Sequence, residues 1–215
     1  MRKFAVVLSG CGVFDGAEIH EATLSLLAIS KNECEYEIFA PDMNQYHVVN
    51  HITGEEMNET RNVLVEAARI ARGNISDLKL FDPARFDGLL FPGGFGAAKN
   101  LSTWANEGAD ASVLPEVEKA VKGMESLSKP VGALCISPVI LAKIFGDIKL
   151  TIGDDADTIH ALEAAGANHV HSTHGEVVVD SDFNVVTTPC YMLDATIDQI
   201  AVGAENVVRK MIEMM

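Results

Sequence analysis

Residues 130–145 read PVGALCISPVILAKIF, and the order of residue types in this stretch decides the fold. Val131–Cys135 is too short and too apolar to be anything but a buried strand. Ser137 is a good N-cap and Pro138 suits a first helical position, so a helix is expected from about Ser137 to Phe145. Cys135 then stands on the sharp turn between strand and helix, the geometry of a nucleophile elbow.

The same grammar repeats outward from that turn. Upstream, Phe4–Leu8 reads as a strand, followed by the glycine-rich Ser9–Gly16 and a helix over Ala17–Ser30. Glu35–Ala40 is a second strand, stopped by Pro41. Met57–Arg72 is a second helix, with Gly73 as its stop. Phe86–Phe91 is a third strand, ending in Pro92-Gly93-Gly94, and Pro115–Leu127 is a third helix. Downstream, Thr158–Ala165 reads as a helix. Glu176–Val179 and Val185–Thr188 flank the turn Asp180–Asn184 as a β-hairpin. An amphipathic helix over about Leu193–Ile212 closes the chain. The polar stretch Met43–Glu56 has weak periodicity and is expected to be a long loop.

Strands separated by helices imply right-handed crossovers and a mostly parallel sheet covered on both faces. The expected architecture is an α/β three-layer sandwich with a C-terminal hairpin. At roughly 150 residues per domain, 215 residues without a linker or internal repeat read as one domain over 1–215.

The composition excludes whole classes of partner. A formal charge of −15 argues against nucleic acid, which needs a clustered positive footprint, and against an anionic membrane surface. No apolar run approaches the 18 residues of a membrane span. The four cysteines, at 11, 34, 135 and 190, show no CxxC spacing, so no zinc or thioredoxin-like motif is expected. Free thiols read most simply as a cytoplasmic setting.

Ligands of open parallel sheets bind at the carboxyl ends of the strands, which directs attention to three loops. At the elbow, helix-terminal N–H groups would favour a Cys135 thiolate; the other reading is a small buried side chain. The loop Gly93-Gly94-Phe95-Gly96 offers N–H groups for an oxyanion hole, or is a plain tight turn. Its spacing does not fit a dinucleotide fingerprint. Glu18 and Glu21, three apart, would share one face of the first helix. A carboxyl among Ile19, Ala22 and Leu24 would have a raised pKa and could shuttle protons; alternatively both are favourable charges in a first turn. His169, His171 and His174 read as exposed residues before the hairpin, with a metal site as the lesser option. Cys11 and Cys190 are expected near the same sheet edge, in packing or redox roles. Cys34 is expected to be inert, and His20 to point away from Glu21.

Taken in order, strand–G-x-E-x-x-E, strand–PGG and strand–x-C-x-x-P resemble the ThiJ/PfpI family of the class I glutamine amidotransferase-like superfamily. The long stretches LSGCGVFDGAEIHEA (8–22), NHITGEEMNETRNVLVEAARIARG (50–73), PGGFGAAKNLS (92–102), LTIGDDADT (150–158) and TTPCYML (187–193) resemble its glyoxalase-like branch of enhancing-lycopene-biosynthesis (ElbB-type) proteins. The resemblance implies a flavodoxin-like fold, Cys135 as nucleophile and Glu21 as its partner, with Glu18 second. It implies backbone N–H donors at Gly94 and Ile136, beside Gly93. The implied activity is glutathione-independent conversion of small 2-oxoaldehydes, a carbonyl substrate, to 2-hydroxy acids through a Cys135 hemithioacetal. It implies no metal and no organic cofactor, a homodimer, and a link to isoprenoid biosynthesis that no residue here carries.

Two departures temper that expectation. Peptidase relatives carry His directly after the nucleophile, where this chain has Ile136. Aldehyde-handling relatives place a His some twenty residues after the Cys, where Leu150–Asp154 contains none. Weak glyoxalase activity is therefore expected. The first alternative is a non-catalytic redox-responsive or stress protein using the elbow cysteine. A lesser one is a glutaminase-type amidotransferase, because His174-Gly175-Glu176 echoes the H-x-E of such enzymes.

Overall fold

The computed structural model describes residues 1–215. In chain order, β1 (Lys3–Val7) leads into α1 (Ile19–Lys31), β2 (Glu35–Ala40), α2 (Val63–Ile70) and the two-residue β3 (Ser76–Asp77). Then follow β4 (Gly88–Phe91), the short helices α3 (Phe95–Lys99) and α4 (Trp104–Glu107), α5 (Pro115–Ser126), β5 (Val131–Leu134) and α6 (Pro138–Phe145). The last third holds β6 (Lys149–Leu150), α7 (Ala156–Ala164), β7 (Asn168–His169), β8 (Val178–Asp180), β9 (Val185–Thr188) and α8 (Ile197–Met214).

Seven strands form one sheet in the order β3-β2-β1-β4-β5-β9-β8. All neighbours are parallel except β8 and β9, which are the expected hairpin. This is the flavodoxin-like arrangement. The chain winds outward from β1 through β2 and β3, then returns to the other side of β1 as β4. The reversal lies between β1 and β4, beside β5, where doubly wound sheets open a crevice at the strands' carboxyl ends. On one face α1 packs against α8, and α5 covers β4 and β5 on the other. Phe4–Val7, Leu89–Phe91 and Val131–Leu134 are buried, as continuous apolar runs in parallel strands should be. Under the β2 side, Phe39 meets Phe81 and Phe86 edge-on at 5.6 and 5.5 Å between centroids.

Three expected elements differ. The second helix starts at Val63, not Met57, because Asn62 caps it with its side chain on the Val65 N–H. The residues before it are exposed and polar, with no apolar face to bury. They extend the long loop, which is pinned by bridges Asn44–Asn62 and Val49–Glu56. The glycine loop after β4 continues into α3. Lys149–Leu150 and Asn168–His169 pair as a small parallel sheet of their own, too short to leave a periodic signature.

Candidate active site

Cys135 follows β5 with φ +60°, a left-handed conformation that costs a non-glycine residue about 1–2 kcal/mol and aims the side chain out of the sheet. Its N–H donates to Thr188 O at 3.0 Å, and the Ser137 N–H closes the turn on Leu134 O at 3.0 Å. Ser137 does not cap α6 with its side chain. Its hydroxyl instead donates to Pro92 O at 2.7 Å, tying the elbow to the Pro92-Gly93-Gly94 loop. Pro138 opens α6 as expected.

That loop is clamped to the start of α1. The Glu18 N–H donates to Gly93 O at 2.9 Å, and the Gly93 N–H donates to Glu21 Oε2 at 2.9 Å. A Cβ on Gly93 would fall 2.4 Å from both Cys135 Cβ and Glu21 Oε2, so only glycine lets the two groups meet. Glu18 is the N-cap of α1, not part of its face; its Oε2 accepts the Glu21 N–H at 2.7 Å. That bond ties its side chain to the start of the helix and accounts for its burial. Gly93 is not an oxyanion donor, since its one N–H is committed to Glu21.

Glu21 is fully buried. Its Oε1 accepts the Tyr191 N–H at 3.2 Å, and its carboxyl faces the Cys135 thiol across Gly93. Burial first, then the charge of Glu18, pushes its pKa up to about 8. The Cys135 thiol is also pushed up, by burial first and Glu21 second, against N–H groups of Gly94 and Ile136 that point at the sulfur. The expected standing thiolate is therefore corrected. Desolvation outweighs the helix terminus, and the resting pair holds its protons at neutral pH.

The sulfur lies at the floor of a cleft of about 270 Å³ lined by Gly94, Phe95, Ile136, Asp155 and Tyr191 among others. No basic side chain and no histidine lines it. His171 and His174 face a separate groove along α8, beside Val202 and Asn206. His169 sits near Gly153 and Glu163, where burial lowers its pKa. None of the three supplies an imidazole to Cys135, and no His174–Glu176 triad assembles there. Cys11 is half-buried outside the cleft, its thiol raised by burial and then by Glu66. Cys190 is buried, raised by burial and then Glu21, and its sulfur abuts Gly203 of α8. Of the residues around the cleft, sequence reasoning missed Tyr191 and gave His20 no role. His20, exposed and pointing away from Glu21 as expected, places its Nδ1 2.8 Å from the Tyr191 hydroxyl. The one signal for Tyr191 is TTPCYML (187–193), a stretch that carries the family resemblance without marking the tyrosine.

No family model matches the chain. Among curated proteins, the human glutamine amidotransferase-like class 1 domain-containing protein 3, mitochondrial, is 45% identical across 99% of the chain and 83% of that protein. The rat ES1 protein homolog, mitochondrial, is 44% identical over 99% and 84%. Among solved structures, an isoprenoid biosynthesis protein with amidotransferase-like domain from Ehrlichia chaffeensis superposes with TM-score 0.93. It is 34% identical, covering 99% of this chain and 100% of that one. A ThiJ/PfpI domain protein from Brachyspira murdochii, 17% identical with TM-score 0.60 over 99% and 96%, shares the fold alone. The curated relatives are named mitochondrial, which overturns the expectation of a plainly cytoplasmic protein drawn from free thiols: a mitochondrial protein can keep them as well.

Proposed function

Because the chain belongs to the family of ES1 and glutamine amidotransferase-like class 1 domain proteins, on the ThiJ/PfpI fold, we propose that it is a weak glutathione-independent glyoxalase. It would convert glyoxal and methylglyoxal to glycolate and lactate. The observation that carries this reading is the Cys135–Glu21 pair, a thiol beside a buried carboxyl, with the Gly94 and Ile136 N–H groups next to the sulfur in a small cleft.

The steps follow from that pair. With the aldehyde bound, the pair gives up one of its two protons to water. The Cys135 sulfur then adds to the aldehyde carbon while the remaining proton passes to the aldehyde oxygen, giving a hemithioacetal and leaving Glu21 as the carboxylate. The Gly94 and Ile136 N–H groups stabilise negative charge on sulfur and then on the adduct. Glu21, once deprotonated, takes the hydrogen from C1 and returns it to C2. The resulting thioester is hydrolysed by water, releasing the acid and the thiol. The hydrogen shift is internal and redox-neutral, so it asks for no cofactor. A cleft of about 270 Å³ is below the roughly 300–1,000 Å³ of sites for drug-sized ligands and suits two- or three-carbon compounds. The isoprenoid link in the Ehrlichia protein's name would then run through a small metabolite, since no lining cation addresses a diphosphate.

The redox-sensor alternative needs a standing thiolate, and burial beside Glu21 works against one. An enzyme needs the thiolate only with substrate bound. The test is incubation of the protein and its Cys135→Ala variant with both aldehydes, without glutathione, followed by NMR. Acid formed by the first and not the second is expected. Acid from both would sink the covalent mechanism, and acid from neither the glyoxalase reading.

A further inference from the structure

The steps above leave one position without a donor. While C1 loses its hydrogen to Glu21, the oxygen on C2 must gain a proton. The family resemblance predicts an imidazole near the cysteine, and none lines the cleft.

Tyr191 does line it, together with Cys135. It belongs to the single 3₁₀ turn Cys190–Met192 that follows β9. Its backbone N–H holds Glu21 Oε1 at 3.2 Å, which fixes its main chain relative to the carboxyl. Its hydroxyl is 2.8 Å from His20 Nδ1, with ring centroids 5.9 Å apart. His20 directly precedes Glu21 in the first turn of α1. One turn of helix therefore carries the carboxyl inward and the imidazole to the outer surface, and Tyr191 bridges the two. Burial, then Glu18, Glu21 and Cys190, raises the phenol's pKa, so it remains a proton donor throughout the neutral range.

We infer that Tyr191 is a further catalytic residue, giving its phenolic proton to the C2 oxygen of the Cys135 adduct, and that His20 is a positioning residue holding that hydroxyl. This rests on the glyoxalase reading of Cys135 and Glu21. As Glu21 removes the C1 hydrogen, the C–H electron pair becomes the C1–C2 double bond. The C2 carbonyl pair moves onto oxygen, which takes the Tyr191 proton. Glu21 then returns its proton to C2, and the C1 hydroxyl loses its proton to the phenolate as the thioester carbonyl forms. No proton, electron or co-reactant is left over.

Two readouts test this in the full chain. The first needs no turnover: the affinity of methylglyoxal for Cys135, read as protection from iodoacetamide. Tyr191→Phe should weaken it about fivefold, the loss of one hydrogen bond. The second is lactate production. Tyr191→Phe should lower kcat roughly 100-fold, in the range for one general acid, and the residual lactate should lose the single handedness of the wild-type product. His20→Asn, which can still bond the hydroxyl, should lower kcat about tenfold, a smaller effect than losing the general acid itself, and keep that handedness. Unchanged protection, kcat and handedness in Tyr191→Phe would overturn the inference. Adduct without acid in the wild type would sink the glyoxalase reading and the proton-donating role of Tyr191 with it, while the protection arm would still show whether its hydroxyl holds the adduct. No adduct at all would overturn both.

Discussion

At the residue scale the site depends on one buried carboxyl. Glu21 stays protonated in the folded chain up to about 8, while in the unfolded chain it ionises near 4.5. The folded state thus binds the proton more tightly, and this contribution to stability is complete below 4.5 and lost as pH rises through 8. Glu21→Gln cannot ionise. Its melting temperature relative to wild type should therefore climb between pH 5 and pH 9, by about 3 °C or more. A constant difference across that range would remove the buried proton from the account. The same variant separates the charge of Glu21 from its chemistry. Glu21 is the second cause raising the Cys135 thiol, so iodoacetamide should label Cys135 several-fold faster in Glu21→Gln at pH 8 while aldehyde turnover falls about 100-fold. Slower labelling would mean that Glu21 activates the resting thiol as a base.

At the scale of elements, the site is three loops held by close backbone approach. Gly94, at φ +98°, would place a Cβ 2.4 Å from Glu18 N and Gly16 O, both backbone. Gly132, within β5, would place one 2.5 Å from Met211 Sδ and 2.6 Å from Leu90 Cδ1, both side-chain ends. A methionine tip can swing aside and backbone cannot. Gly132→Ala should cost about 1–3 kcal/mol, as overpacking does, and keep labelling of Cys135 normal. Gly94→Ala should cost more and disturb that labelling, because it forces α1 away from the loop. Equal costs in urea unfolding would show that the loops yield as easily as the core. The same contrast explains what could be read in advance. The strand runs Phe4–Val7, Leu89–Phe91 and Val131–Leu134, and the Cys135 turn, announce themselves through local pattern. So do Glu21 and the glycines, through the family resemblance. The cap at Asn62 overrides a helical pattern that begins at Met57. Tyr191 meets His20 across 171 positions of sequence, a pairing no periodicity encodes. The state of the thiol depends on burial, which the elbow motif does not report.

At the scale of the whole molecule, charge decides which ligands approach. The chain carries −15, and the one charged side chain at the cleft rim is Asp155. Its carboxylate is fixed by the Thr158 N–H at 2.8 Å as the N-cap of α7. One unit charge at the mouth of a small cleft, partly screened by water, contributes on the order of 1 kcal/mol, or about fivefold in rate. Neutral aldehydes are indifferent to it, anionic oxo acids are repelled, and a newly formed carboxylate product is pushed out. Reaction of Cys135 with a cationic methanethiosulfonate should exceed that with an anionic one by about tenfold, after correction against a free thiol, through steering by the whole field. Asp155→Asn preserves the cap and should reduce that preference about fivefold. Salt at 0.5 M should compress both figures, because Asp155 is exposed and screened. A preference that salt removes but Asp155→Asn leaves intact would assign selection to the distant acidic surface. A ratio near one would mean that the cleft is blind to charge, and shape alone would then have to exclude the oxo acids.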